Sequence, residues 1–190
     1  RALFFPWFKG MSKRLVIPNL SECVLQKQEC QIPIMENLTI DYNKNVGIVV
    51  AGNSGSGKSY FLTYLLETLS KISRLIIIDP KFDTPSRWAK QNNIPVIYPS
   101  KNRSKSDFVS EINESLSSVL EIIYERQAIL FDNPAHEFEH VTVVIDEVLA
   151  LTEGVNKQIK DSFQSLLSTI ALLGRATRCH LVLLSQRYGF

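Results

Sequence analysis

The sequence predicts an α/β fold: a mostly parallel sheet with helices on both faces. Two observations carry that expectation. Short β-branched apolar runs alternate along the chain with segments whose apolar residues recur every three or four positions. The first such junction is a glycine-rich loop, Gly52 to Ser59, set between a strand pattern and a helix pattern.

The elements follow in order. VGIVVA, 46 to 51, reads as a buried strand entering a turn at Gly52. Phe61, Leu62, Leu65, Leu66 and Leu69 then mark one face of a helix from Lys58 to about residue 71. RLIIID, 74 to 79, is a second strand, TPSRWAKQN a short helix, and IPVIYP, 94 to 99, a further strand. Phe108, Ile112, Leu116, Val119, Leu120 and Ile123 lie on a long amphipathic helix that Asn133-Pro134 ends. VTVVID, 141 to 146, is a strand, Phe163 to Leu173 lies on a helix, and CHLVLLS, 179 to 185, is the last strand. Residues 11 to 45 show no sustained period and read as an extended leader along the sheet edge. No period of 20 to 50 residues recurs, which excludes a repeat array.

The chemistry concentrates at two strand ends. Gly52-Asn53-Ser54-Gly55-Ser56-Gly57-Lys58-Ser59 satisfies G-x-x-x-x-G-K-[ST] in full. Glycines let the backbone wrap N–H groups around phosphates at the positive end of the following helix. In that pattern Lys58 reaches the β- and γ-phosphates and the Ser59 hydroxyl binds Mg²⁺; Tyr60, next in line, completes the nucleotide-binding set. A P-loop requires a second carboxylate for Mg²⁺ at a neighbouring strand tip, and VTVVIDE supplies Asp146. Glu147, one residue on, is placed to accept a proton from the attacking water. The competing reading of Asp146-Glu147 is a helix N-cap.

With these motifs in place, VVAGNSGSGKS (49 to 59), IIIDPK (76 to 81), VVIDE (143 to 147) and GRATRCHLVLLSQR (174 to 187) together resemble the FtsK/SpoIIIE/HerA family of DNA-pumping ATPases, particularly the coupling ATPases of conjugative elements. The resemblance runs from about Leu38 to Arg187 and implies a RecA-like P-loop NTPase core, with 1–37 as leader and 38–190 as an FtsK-like ATPase domain lacking the family's C-terminal part. It implies ATP and Mg²⁺ as cofactors, and Arg175 as a finger acting in a neighbouring subunit. It also implies Gln186 as a sensor of the γ-phosphate. The implied partners are DNA without sequence specificity, copies of the same chain in a hexameric ring, and a membrane or secretion channel. The domain itself is expected on the cytoplasmic side of that membrane. A secretion ATPase moving protein substrates and an assembly module switched by nucleotide are the rival readings. Arg175 also fits a cation at a helix C-terminus, and Arg178 and Arg187 compete with it for the finger. Asp79, Pro80 and Lys81 complete a D-P-K look, with a role in shaping the crevice.

Bulk properties bound the alternatives. The 190 residues suit one α/β domain, and 45% hydrophobic with 21% charged residues places the chain among ordinary globular proteins. A net charge of +2 is too small to argue for a nucleic-acid partner by itself, so any such site is local. Lys101, Arg103 and Lys105 are one local candidate, against the simpler reading of a solvated loop. Cys23, Cys30 and Cys179 lack C-x-x-C spacing, which argues against a disulfide framework or a zinc site and suits a reducing compartment. His136, His140 and His180 have no metal-ligand spacing with them. The chain begins at Arg1, so it reads as a fragment, and RALFFPWFKG suits either packing on the domain or a membrane interface.

Overall fold

A computed structural model describes residues 13, 15–17, 30–36 and 38–186. RALFFPWFKG, Cys23 and Arg187 lie outside them. The core is a five-stranded parallel sheet built from β3 (Gly47–Ala51), β4 (Ser73–Ile78), β5 (Val96–Ile97), β6 (His140–Ile145) and β7 (Cys179–Ser185), in the order β3-β7-β6-β4-β5. This is the α/β arrangement of a RecA-like P-loop ATPase.

Helices α1 (Lys58–Leu69) and α2 (Thr84–Gln91) cover one face and pack Leu62, Leu65, Leu66, Leu69, Trp88 and Ala89 against Ile77, Val144, Val182 and Leu184. Helices α3 (Lys105–Asp132), α4 (Val148–Thr152) and α5 (Lys157–Leu173) belong to the other, where Phe108, Ile112, Leu116, Ile123, Phe163 and Ile170 meet Val143, Ile145 and Leu181. The fully buried strands are those with near-continuous apolar sequence, as a sheet covered on both sides demands. Helix α3 starts in a reciprocal capping box: Ser104 accepts from the Asp107 N–H while Asp107 accepts from the Ser104 N–H.

The elements differ from expectation in four places. The stretch 11–45 contains an antiparallel hairpin, β1 (Gln31–Met35) and β2 (Leu38–Asp41), which forms its own two-stranded sheet. It docks on α1, where the Tyr64 hydroxyl donates to the Pro33 carbonyl at 2.6 Å, and buries Ile32 and Tyr42. The strand expected over 94–99 shortens to Val96–Ile97, because Pro95 and Pro99 carry no N–H to extend the ladder. The strand expected to be buried at 46–51 is an edge strand among the described residues: β3 pairs with β7 alone, and Val49 is 60% exposed. Helix α4, five residues long, had no sequence forecast.

Candidate functional site

In a parallel sheet every strand delivers its C-terminal residue to the same edge, and the P-loop, Asp79, Asp146, Glu147 and Gln186 all sit there. Gly52 to Gly57 leave β3 and enter α1 at Lys58. Gly55 (φ 78°) and Gly57 (φ 90°) occupy backbone conformations that side chains disfavour. At Gly52 a Cβ would lie 2.6 Å from the Ser56 Oγ, so a larger residue there would force the Ser56 side chain to turn away. Asn53, Ser54, Ser56 and Ser59 are exposed, and Tyr60, in the first turn of α1, is 87% exposed.

Lys58 is folded back onto its own loop. Its Nζ donates to the Gly52 carbonyl and, at 2.9 Å, to the Asn53 carbonyl. The ammonium thus already lies within the turn where the pattern places phosphate oxygens, held by neutral acceptors that an anion would outcompete.

Strand β6 ends at the opposite wall of the crevice. Asp146 is half-buried and its N–H bonds the Ile78 carbonyl at 3.0 Å, which continues the β4–β6 ladder by one residue. Burial pushes the Asp146 carboxyl up, with Asp79 and Glu147 adding to the rise and Lys81 opposing it. Crowding of Asp146 by Asp79 and Glu147 favours a divalent cation beside it, and the Asp146 carboxylate and the exposed Ser59 hydroxyl are hard oxygen donors of the kind Mg²⁺ takes.

Glu147 is 7% exposed and adopts a left-handed backbone, φ 53°. Its Oε2 accepts from Lys81 Nζ at 2.9 Å and its Oε1 from the Gln186 N–H at 3.0 Å. Burial raises this carboxyl, yet the Gln186 bond and the Lys81 ammonium more than offset it and hold the group below its ordinary value. The N-cap reading of Glu147 is only positional: it stands before α4 but its side chain makes no capping bond.

Gln186 follows β7, the strand between β3 and β6, so it stands between the P-loop and Glu147 with its side chain exposed. Arg175 does not share this edge. It follows α5 and precedes β7, which puts it at the far end of the sheet, roughly 20 Å from Gln186 at the usual rise per strand residue. It is exposed there, whereas Arg178 is committed to the Phe138 carbonyl at 2.9 Å and to Glu137 at 3.2 Å.

The D-P-K segment does more than line the crevice. Asp79 is fully buried; its Oδ1 accepts from the Lys81 N–H, and its Oδ2 from the Asp83 N–H, the Ser86 N–H and the Ser86 hydroxyl. That carboxylate shapes the turn, and the turn aims Lys81 at Glu147. The Lys81 partnership was not legible in the sequence, since the two residues stand 66 apart. Of the three cations at 101–105, Arg103 pairs with Glu111 and Lys105 donates to the Glu153 carbonyl.

Neither a family model nor a curated protein matches this chain. Solved structures do. The conjugation coupling protein TcpA of pCW3, in its monomer form with ATPγS, superposes with a TM-score of 0.58 at 22% identity, over 85% of this chain and 49% of that one. The cytoplasmic domain of the type VII secretion ATPase EccC of Thermomonospora curvata gives 0.64 at 19% identity, over 91% of this chain and 24% of that one. EssC ATPases 2 and 3 of Geobacillus thermodenitrificans give 0.63 at 14% identity, over 96% and 37%. The chain therefore spans half or less of the length of these structures, and what it shares with them is the P-loop ATPase fold.

Proposed function

We propose that this chain is the ATP-binding and ATP-hydrolysing motor domain of an FtsK-like DNA translocase of the conjugative coupling type. The observation that supports it most is the convergence of Lys58, Ser59, Asp146, Glu147 and Gln186 on one sheet edge, in the motif order of that family. Ser59 and Asp146 would hold Mg²⁺, which when bound would supply charge neutralisation on the phosphates. The P-loop N–H groups and Lys58 hold the β- and γ-phosphates, with exposed Tyr60 flanking the nucleotide. Glu147 takes the proton of the attacking water, and Lys81 and the Gln186 N–H fix the direction of its carboxylate. Gln186, at the strand tip between the two walls, reports the γ-phosphate. Arg175, too far for its own site, serves a neighbouring copy in a ring. The domain stands on the cytoplasmic side of a membrane whose channel the full-length protein serves; among the described residues no helix is long and apolar enough to cross a membrane.

Protein substrates are the second reading, favoured by the fold likeness to secretion ATPases, one of them in complex with a signal sequence peptide. Steady-state ATPase rates of the full-length protein, alone, with DNA and with a candidate secretion signal peptide, separate the two. Stimulation by DNA is expected, with Lys58→Ala inert. Stimulation by peptide alone overturns the DNA reading.

A further inference from the structure

Two aromatic rings stand out of the crevice rim where the mechanism makes no use of them. Phe82 is 58% exposed and Tyr98 42% exposed, and the rings stack on each other with centroids 4.4 Å apart and planes 29° from parallel. They come from the tips of adjacent strands β4 and β5, on the nucleotide edge of the sheet. Phe82 holds φ at 53°, a conformation that disfavours a bulky side chain and persists only where the surroundings impose it. The imposition is visible: the Phe82 N–H bonds the Asp79 carbonyl at 3.3 Å, while the buried Asp79 carboxylate takes the N–H groups of Lys81 and Asp83 on either side. The turn therefore presents its ring to solvent at a cost in backbone strain.

Cations border the pair, and Asp83, the carboxylate that follows Phe82, is paired with Arg87. Lys81 precedes Phe82, Lys101 lies three residues beyond Tyr98, and a cavity of about 310 Å³ brings Pro80 and Pro99, the neighbours of these segments, against Arg103 and Lys105 with no carboxylate in its lining. Arg103 is held by an exposed ion pair, a contact of small worth that a phosphate can displace. An outward aromatic stack bordered by cations is the construction that receives single-stranded nucleic acid: bases stack on the rings and the backbone tracks the cations, without sequence readout.

We propose that Phe82 and Tyr98 form a stacking platform for bases of a single-stranded DNA segment, with Lys101 and Arg103 on its phosphates. The proposal rests on the DNA reading above. It also gives the platform a line to the chemistry, since Phe82 is bonded directly to Lys81, whose ammonium positions the Glu147 carboxylate. Contact with the polymer is felt one residue from the hydrolytic site.

The test uses the full-length protein, a fluorescently labelled oligothymidylate and fluorescence anisotropy, with DNA-stimulated ATPase measured in parallel. Phe82→Ala and Tyr98→Ala are each expected to weaken oligothymidylate binding by about tenfold or more, and to reduce stimulation, with ATP affinity and basal turnover kept. Phe82→Trp restores binding. Phe82→Gly separates the ring from the backbone: it removes the ring but relieves the positive φ, so it stays folded and must also bind poorly. Variants that bind oligothymidylate as tightly as wild type, in a protein whose ATPase still responds to DNA, overturn the platform and leave the DNA reading standing. A wild-type ATPase that responds to peptide and to no DNA overturns both.

Discussion

Glu147 combines a left-handed backbone, near-complete burial and two hydrogen bonds, one to each carboxylate oxygen, which leave a lone pair on each for water. A non-glycine residue in that conformation costs on the order of 1–3 kcal/mol, which the surrounding contacts must offset. The gain is orientation: the carboxylate cannot rotate away while Lys81 and the Gln186 N–H hold it. Glu147→Gln tests the role at this scale. The amide oxygen can still accept from the Gln186 N–H, at the loss of the Lys81 bond on the NH2 side, so the backbone contact that holds the loop should persist, but the amide cannot take a proton from water. ATP affinity by calorimetry is expected within a few-fold of wild type, with turnover of the full-length protein down by about 10²–10⁴-fold. A loss of threefold or less would remove Glu147 from the base role.

At the scale of elements, one buried carboxylate organises the β4–α2 turn. Asp79→Ala leaves the N–H groups of Lys81, Asp83 and Ser86 and the Ser86 hydroxyl without their acceptor; the two Ser86 donors are the buried ones, and at about 1–3 kcal/mol per buried donor left unsatisfied the expected loss is at least about 2 kcal/mol in denaturant unfolding. The variant should also slow hydrolysis, since Lys81 loses its aim. Unchanged stability would show that the turn forms without the carboxylate. What the sequence made legible follows the same division. Strands β4, β6 and β7, with helices α1, α3 and α5, carry runs or periods long enough to read, and they came out within a few residues. The hairpin did not, because Pro33 and a register irregularity between Pro33 and Met35 interrupt the alternation. Helix α4 is too short to show a period. Of the site, the motif residues were readable because their spacing is local. The Lys81–Glu147 bond and the Phe82–Tyr98 stack were not, because only the order β7-β6-β4-β5 brings them together.

For the molecule as a whole, the sheet has two chemically different ends. Opposite the nucleotide edge, His140 Nδ1 and His180 Nε2 share a hydrogen bond of 2.7 Å, His180 Nδ1 bonds the Asn45 carbonyl, and Tyr42 stacks on His180 at 4.1 Å. Burial above all, helped by His140 at His180 and by the charges of Arg178 and Arg126 at both, pushes the two imidazoles down to about 4. Cys30, 3.6 Å from His140 Nε2, is itself held protonated by burial. Folded-state values below the unfolded one mean that stability is complete above about pH 6.5 and falls as pH drops towards 4, because the unfolded chain takes up protons first. Between pH 7 and 5 the pair should cost about 2–4 kcal/mol by denaturant unfolding, and a His140→Gln/His180→Gln variant should lose that slope; equal slopes would refute it. Beside that end stands Arg175, where a finger acting in a neighbour and a cation on the α5 dipole forecast opposite results. As a finger, Arg175→Ala leaves its own subunit's ATP affinity intact and removes a term worth about 10³–10⁵ in turnover from the adjacent site. Rings mixed from Arg175→Ala and Lys58→Ala subunits, each inactive alone, then regain hydrolysis wherever an intact arginine faces an intact P-loop. As a dipole partner, Arg175→Ala loses only about 0.3–1 kcal/mol of stability and no mixture is rescued. ATPase rates across mixing ratios, with thermal melts of each variant, decide between them. Absence of rescue at every ratio assigns Arg175 to the helix end, and since Arg178 is already committed to Glu137 and the Phe138 carbonyl, the finger would then fall to Arg187 or come from another segment.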